Sequence, residues 1–287
     1  MEYLIIMDVS GDINEEIATP AGVKYVPMEY SLGAEMRTCK GMEDAQTIKM
    51  FYDGQRNGDL TKTSQISPYM YEEFMEPFMK EGYSILYFCL SSGLSSTYQS
   101  ACLARSSLKE KYPEQDFLPV DTLAATGGMG VLTERAIRNR EKGMSLQENY
   151  DDVCEASKHI CHWFVVQDLM YLKRGGRVSA ASAAVGTFLN VKPILCINKE
   201  GKLDTIAKKR GNKQAVKDLL DRFKESADLS AGDVIYVINA DAQDLAADLD
   251  KGIKALYPEA VIRHASLSPI IGAHTGPGMA AICHMGK

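Results

Sequence analysis

The sequence predicts an α/β protein of two domains: an N-terminal α/β domain with a mainly parallel sheet over 1–159, and a C-terminal α+β domain with a mixed or antiparallel sheet over 160–287. Three observations lead there. The chain has 287 residues, more than one domain usually holds. Up to about residue 159, apolar runs of strand length alternate with segments of helical length, as in a parallel sheet joined by crossover helices. Beyond that point a hairpin signal appears, and hairpins make antiparallel neighbours.

The elements follow in order. Residues 2–7 and 23–28 read as strands, and 43–56 as a helix with Ala45, Ile48, Phe51 and Tyr52 roughly on one face. Ser67-Pro68 is a helix start, because a serine caps the first free N–H groups and a proline at the first helical position lacks one anyway. That helix runs to about Lys80, with a kink expected at Pro77. Residues 83–90 (YSILYFCL) form a near-continuous apolar run, expected for a parallel strand covered on both faces. The run ends in SSGLSST, a strand-to-helix loop before a helix over 98–111. A strand at 117–120, a helix from Gly127 to about Glu141 and a helix over 146–159 complete this half. In the second half, 191–198 and 202–208 flank Lys199-Glu200-Gly201 as a hairpin, followed by helix 212–224, strand 234–239, helix 243–256 and strand 260–264.

Composition removes several classes of function. A formal net charge of −6 gives no basic surface of the kind that holds nucleic acid or an anionic membrane. The seven cysteines include no CxxC pair and sit in part in apolar runs, so they read as reduced. The first residues, MEYLIIMDVSGD, lack a basic lead and read as a strand, not a signal peptide. No apolar stretch approaches the ~20 residues of a membrane helix. A soluble cytoplasmic protein without stable membrane insertion is expected.

Four polar clusters carry the chemistry: Thr63-Ser64-Gln65-Ile66-Ser67-Pro68, Ser91-Ser92-Gly93-Leu94-Ser95-Ser96-Thr97, Lys173-Arg174-Gly175-Gly176-Arg177 and Gly272-Ala273-His274-Thr275-Gly276-Pro277-Gly278. Singly, each has an ordinary reading, since Ser and Thr at helix starts are usually only caps. Together, two hydroxyl clusters at the carboxyl end of a sheet make a site for a small anion, with hydroxyls and amides that hold charge without a permanent ion pair. Arg177 and Arg210 lie in glycine-flanked contexts, KRGGR and KKRGNK, where backbone can be approached closely. The HICH run at 159–162 resembles a metal motif but lacks a second ligand pair, so neither a metal nor a cofactor is expected. There is no GxSxG elbow, and GGMG has neither dinucleotide nor P-loop spacing.

The segments TSQ-S-P, SSGLSSTYQSA, DTLAATGGMG, DLMYLKRGGRVS, VKPIL, KKRGNK and IGAHTGPG, in this order and across nearly the whole chain, resemble the DegV family. The resemblance implies a carrier without autonomous catalysis that buries a long-chain fatty acid in an apolar tunnel. It implies a carboxylate site on Thr63 and either Ser91 or Ser92, with Ser92 preferred, and with Ser64, Gly93 and His274 beside it. It further implies, from some family members, an ATP-dependent fatty acid kinase subunit as partner, with Arg177 and Arg210 on the hydroxyl-site side to dock the kinase or balance acyl-phosphate charge. Two positions depart from the family pattern: Ser96 stands where a glycine is common, and Asp8-Val9-Ser10-Gly11-Asp12 replaces the usual N-terminal run.

Burial of an acyl chain contributes roughly 0.8 kcal/mol per methylene before ordering costs, so a weak head-group site suffices and serves orientation. The alternative is an enzyme or binding protein acting on a small phosphorylated or carboxylate substrate at the same hydroxyls, for which His274 is the available base.

Overall fold

The computed structural model describes residues 3–178 and 190–287; Glu2, at the head of the first expected strand, and Ser179, at the end of DLMYLKRGGRVS, lie outside the described residues. The chain begins with β1 (Tyr3–Asp8), the single-turn α1 (Glu15–Ala18) and β2 (Lys24–Val26). The sequence suggests one strand over 23–28, but Pro27 has no N–H to continue a ladder, and the chain changes sheet there. It enters β3 (Met28–Leu32) and β4 (Glu35–Cys39), then α2 (Ala45–Arg56), whose N-cap Asp44 accepts from Thr47 N at 2.7 Å, and β5 (Thr61–Thr63). Strands β4-β3-β5 form a small antiparallel sheet that strict alternation of strand and helix does not foresee. Its signal is faint because β4 is mostly exposed and β5 has three residues.

The parallel part follows the expectation closely. α3 (Pro68–Lys80) is capped by the Ser67 hydroxyl, and Pro77 lies inside it. After it come β6 (Ser84–Cys89), α4 (Thr97–Lys111), β7 (Phe117–Asp121), α5 (Gly127–Glu141) and α6 (Leu146–Ser157), the last begun by a Ser145–Glu148 capping box. All six residues of β6 are buried, as a strand covered on both faces requires. The sheet order β2-β1-β6-β7 is parallel throughout. Connections leave β1 in one direction toward β2 and in the other toward β6, which opens a crevice at the carboxyl ends of β1 and β6.

The second half contains β8 (Ile160–Val165), α7 (Met170–Arg174), β9 (Val191–Ile197), β10 (Leu203–Arg210), α8 (Gly211–Ser226), β11 (Ile235–Asn239), α9 (Gln243–Leu256), β12 (Ile262–Ser266), α10 (Pro269–Thr275) and β13 (Ala280–Met285). Its six strands run β10-β9-β8-β13-β11-β12, antiparallel except for β11 and β12. The hairpin turns at Gly201, with φ of 72°. Strands β8 and β13, absent from the sequence reading, are its centre. Thus HICH is the start of a strand: His162 is buried, and His159 lies 3.8 Å from Glu155. We propose a domain division near residue 159, between α6 and β8.

Helix α5 joins the two large sheets. Eleven of its residues are buried, and one apolar core spans Ile5, Leu86 and Phe88 on one side and Phe164, Tyr236 and Ala281 on the other. The glycines of GGMG make this fit: a Cβ on Gly127 would lie 2.6 Å from Tyr236 Cβ, and one on Gly130 2.6 Å from the Asp12 carbonyl oxygen. A second core, with Leu219, Phe223, Leu249 and Ile253, packs α8 and α9 on the other face of the mixed sheet. All seven cysteines carry free thiols. No helix among the described residues is long and apolar enough to cross a membrane.

Candidate functional site

A cavity of about 470 Å³ lies between the carboxyl end of the parallel sheet and the face of the mixed sheet. One end is polar, with Thr63, Ser64, Ser92, Ser95, Arg177 and His274 in the wall. Elsewhere the wall is mainly apolar, including Met28, Leu90, Phe164, Leu172, Ile270 and Met279.

Thr63 is placed by pairing of β5 with β3, opposite Tyr30, and Ser64 N donates to the Glu29 carbonyl at 3.1 Å. His274 comes from α10, and its Nε2 is 2.8 Å from Thr63 Oγ1. Residues 211 positions apart thus meet at one end of the cavity. The imidazole packs against Gly175, where a Cβ would come within 2.2 Å of Nδ1.

The loop after β6 is held by one buried and one partly buried carboxylate. Leu90 N donates to Asp8 Oδ2 at 2.9 Å, and Ser92 N to Asp121 Oδ1 at 3.0 Å. Gly93 lies against the β9–β10 turn so closely that a Cβ would sit 2.6 Å from the Gly201 carbonyl oxygen and 2.7 Å from that of Glu200. Between the two candidate serines, the structure favours one. Ser91 is fully buried, donates its hydroxyl to the Gly201 carbonyl at 2.8 Å and accepts from Gly93 N at 3.1 Å, so it pins the turn and does not line the cavity. Ser92 and Gly93 do line it.

Among the polar lining residues that escaped the sequence reading are Gln65, Ser95 and Ser96. They lie in the hydroxyl clusters already singled out, but loop shape decides which members face inward. Ser95 Oγ is 2.7 Å from Thr97 Oγ1, and Ser96 occupies the N-cap of α4 without a side-chain capping bond. The N-terminus of that fifteen-residue helix adds partial positive charge on this side.

The two arginines separate. Arg177 lines the cavity and is half-buried; its Nε donates to the Leu94 carbonyl at 3.1 Å and its Nη1 to that of Gly175. No carboxylate among the described residues pairs with it, and burial lowers its pKa. Arg210 does not share this place. It ends β10 opposite Val191, is exposed, and lies seven residues along the strand from Leu203 in the cavity wall, about 23 Å at strand spacing.

Burial and the charge of Arg177 push His274 down to about 4; burial also holds His162 and His284 at about 4. Each such histidine binds its proton in the unfolded chain first, so folding stability from these groups is present above about pH 6.5 and is lost toward pH 4, by up to ~1.4 kcal/mol per pH unit per group. Asp12 acts in the opposite sense. Burial raises it to about 8, so its contribution falls as pH rises from about 4 to 8, and Asp8, also raised, acts likewise over the acid end. With three histidines against these two carboxyls, the melting temperature is expected to peak near pH 6.5 and fall on both sides. A melting temperature that rises steadily from pH 6.5 down to 4.5 would contradict the buried neutral histidines.

Comparison with known proteins agrees with this architecture. Residues 2–287 match the family model described as uncharacterised protein, DegV family. The DegV domain-containing protein CPE0026 of Clostridium perfringens is 33% identical over 285 residues, covering 99% of this chain and 98% of that protein. The fatty acid binding DegV family protein SAG1342 of Streptococcus agalactiae is 27% identical with a TM-score of 0.85, over 100% of this chain and 99% of that one. The fatty acid kinase (Fak) B3 protein of Streptococcus pneumoniae, loaded with linoleic acid, shares the fold at 21% identity and a TM-score of 0.84, over 99% of both chains. A family match over essentially every residue, joined to the same two-sheet fold, makes this chain a member of the DegV family.

Proposed function

We propose that this protein binds a long-chain fatty acid, with its carboxylate at the Thr63–His274 end of the cavity and its chain along the apolar wall. The observation that carries the reading is a single cavity with hydroxyls, a helix N-terminus and a half-buried arginine at one end and mainly aliphatic and aromatic side chains elsewhere. The S. agalactiae relative, a fatty acid binding DegV protein, supports it. In this reading the Ser92 and Thr63 hydroxyls donate to the carboxylate, Ser64, Gly93 and the neutral His274 complete the end, and Arg177 balances charge without closing a permanent ion pair. The protein acts as a carrier, and an ATP-dependent kinase subunit phosphorylates the carboxylate it presents. Exposed Arg210 then belongs to the docking surface, apart from the head group.

Native mass spectrometry with organic extraction tests this directly. One fatty acid per chain is expected after incubation with oleate or palmitate, with affinity at least ~10-fold lower in the Thr63→Ala/Ser92→Ala double variant. No bound acid would instead favour a small anionic substrate at the same hydroxyls. Undiminished binding in the double variant would move the carboxylate elsewhere.

A further inference from the structure

Thr63 comes from β5 and His274 from α10, and a buried amide ties these two elements together just before each residue. Gln55, on α2, is 3% exposed. Its Nε2 donates to the Thr61 hydroxyl at 3.0 Å and to the Gly272 carbonyl at 3.0 Å, so both amide hydrogens are used. A carbonyl oxygen only accepts, which fixes the orientation of the amide. Thr61 in turn donates its hydroxyl to the Ala273 carbonyl at 2.9 Å. That carbonyl is available for a local reason. Its partner within a helix would be the N–H four residues on, and residue 277 is a proline.

Thr61 and Thr63 stand two apart on β5 and so share a face, with Lys62 exposed between them. One threonine takes the carbonyl that precedes His274, and the other meets its ring at 2.8 Å. Helix α10 has seven residues, too few to hold itself as a helix. Its rotation therefore follows from bonds outside it: Ser268 N on Asp12 Oδ1 at 3.0 Å where it starts, and Gln55 and Thr61 where it ends. A shift of about 1 Å at Nε2 carries the contact with Thr63 out of hydrogen-bond range. With the proton on Nε2, the ring donates to Thr63 Oγ1 and leaves the threonine hydrogen for a carboxylate. We propose, resting on the fatty-acid reading above, that Gln55 and Thr61 are positioning residues for the carboxylate site. Through the Gly272 and Ala273 carbonyls they set the approach of His274 to Thr63, and with it the direction of the Thr63 hydroxyl.

The test compares the affinities of the intact chain for palmitate and hexadecanol, which bury the same hydrocarbon but differ in the carboxylate. Thr61→Val, which keeps the shape and removes the hydroxyl, is expected to lower the ratio of palmitate to hexadecanol affinity about tenfold, and Gln55→Met to do the same. Thr61→Ser retains the hydroxyl and should keep the ratio within about threefold of the parent. Because the effect runs through Thr63, adding Thr61→Val to Thr63→Val, where the ratio is already reduced, should lower it by less than about twofold more. A clamp that served folding alone would weaken both ligands alike. A parental ratio in either Thr61→Val or Gln55→Met would therefore overturn the inference while leaving the carboxylate site intact, as would a further tenfold loss on top of Thr63→Val. An unchanged ratio in Thr63→Val would instead overturn the carboxylate placement on which the inference rests.

Discussion

Asp8→Ala is expected to destabilise the protein by about 3–5 kcal/mol, seen as a lowered urea midpoint. Asp8 ends β1 with no exposure and accepts three hydrogen bonds: from Ser10 N at 2.9 Å, from the Ser10 hydroxyl, and from Leu90 N at 2.9 Å. Removing it leaves three buried donors without their acceptor, and one of them starts the Ser91–Gly93 loop. Damage should therefore extend to ligand affinity at denaturant concentrations where the variant is still folded. Burial raises the Asp8 pKa, and the bonds from Ser10 and Leu90 act in the opposite direction. A cost below about 1 kcal/mol would mean that the loop finds other partners.

Gly175→Ala should affect binding more than folding. Gly175 has no positive φ, so alanine is compatible with the backbone, but its methyl would lie 2.2 Å from His274 Nδ1. The ring must swing away from Thr63 and into the polar end of the cavity. Loss of the 2.8 Å contact and obstruction of the carboxylate position together are expected to weaken fatty acid binding on the order of a hundredfold, with a melting temperature close to that of the parent. Gly176→Ala is the control: it has φ of 73° and open space around its Cβ position, so it strains the backbone without touching His274. Equal losses of affinity in the two variants would remove His274 from the site.

The sequence by itself determined the parallel half most fully. Helix starts at Ser67-Pro68, the doubly buried run that became β6, the Gly201 hairpin and the Ser-rich loop are local patterns, and each is fixed by neighbours a few residues away. The family, too, is legible in seven ordered motifs. Tertiary structure decided what local pattern does not encode. Strands β8 and β13 pair across more than a hundred residues, and β5 is too short to signal at all until β3 supplies its ladder. The same holds within the site. Ser91 and Ser92 are chemically equal in the sequence, yet the Gly201 carbonyl takes the first hydroxyl and leaves the second to the cavity. Arg177 and Arg210 share a basic, glycine-flanked context, but only Arg177 reaches the cavity wall, because the hairpin carries Arg210 to its opposite end. The direction of a side chain depends on contacts made by distant segments, and those exist only once the two sheets close around α5.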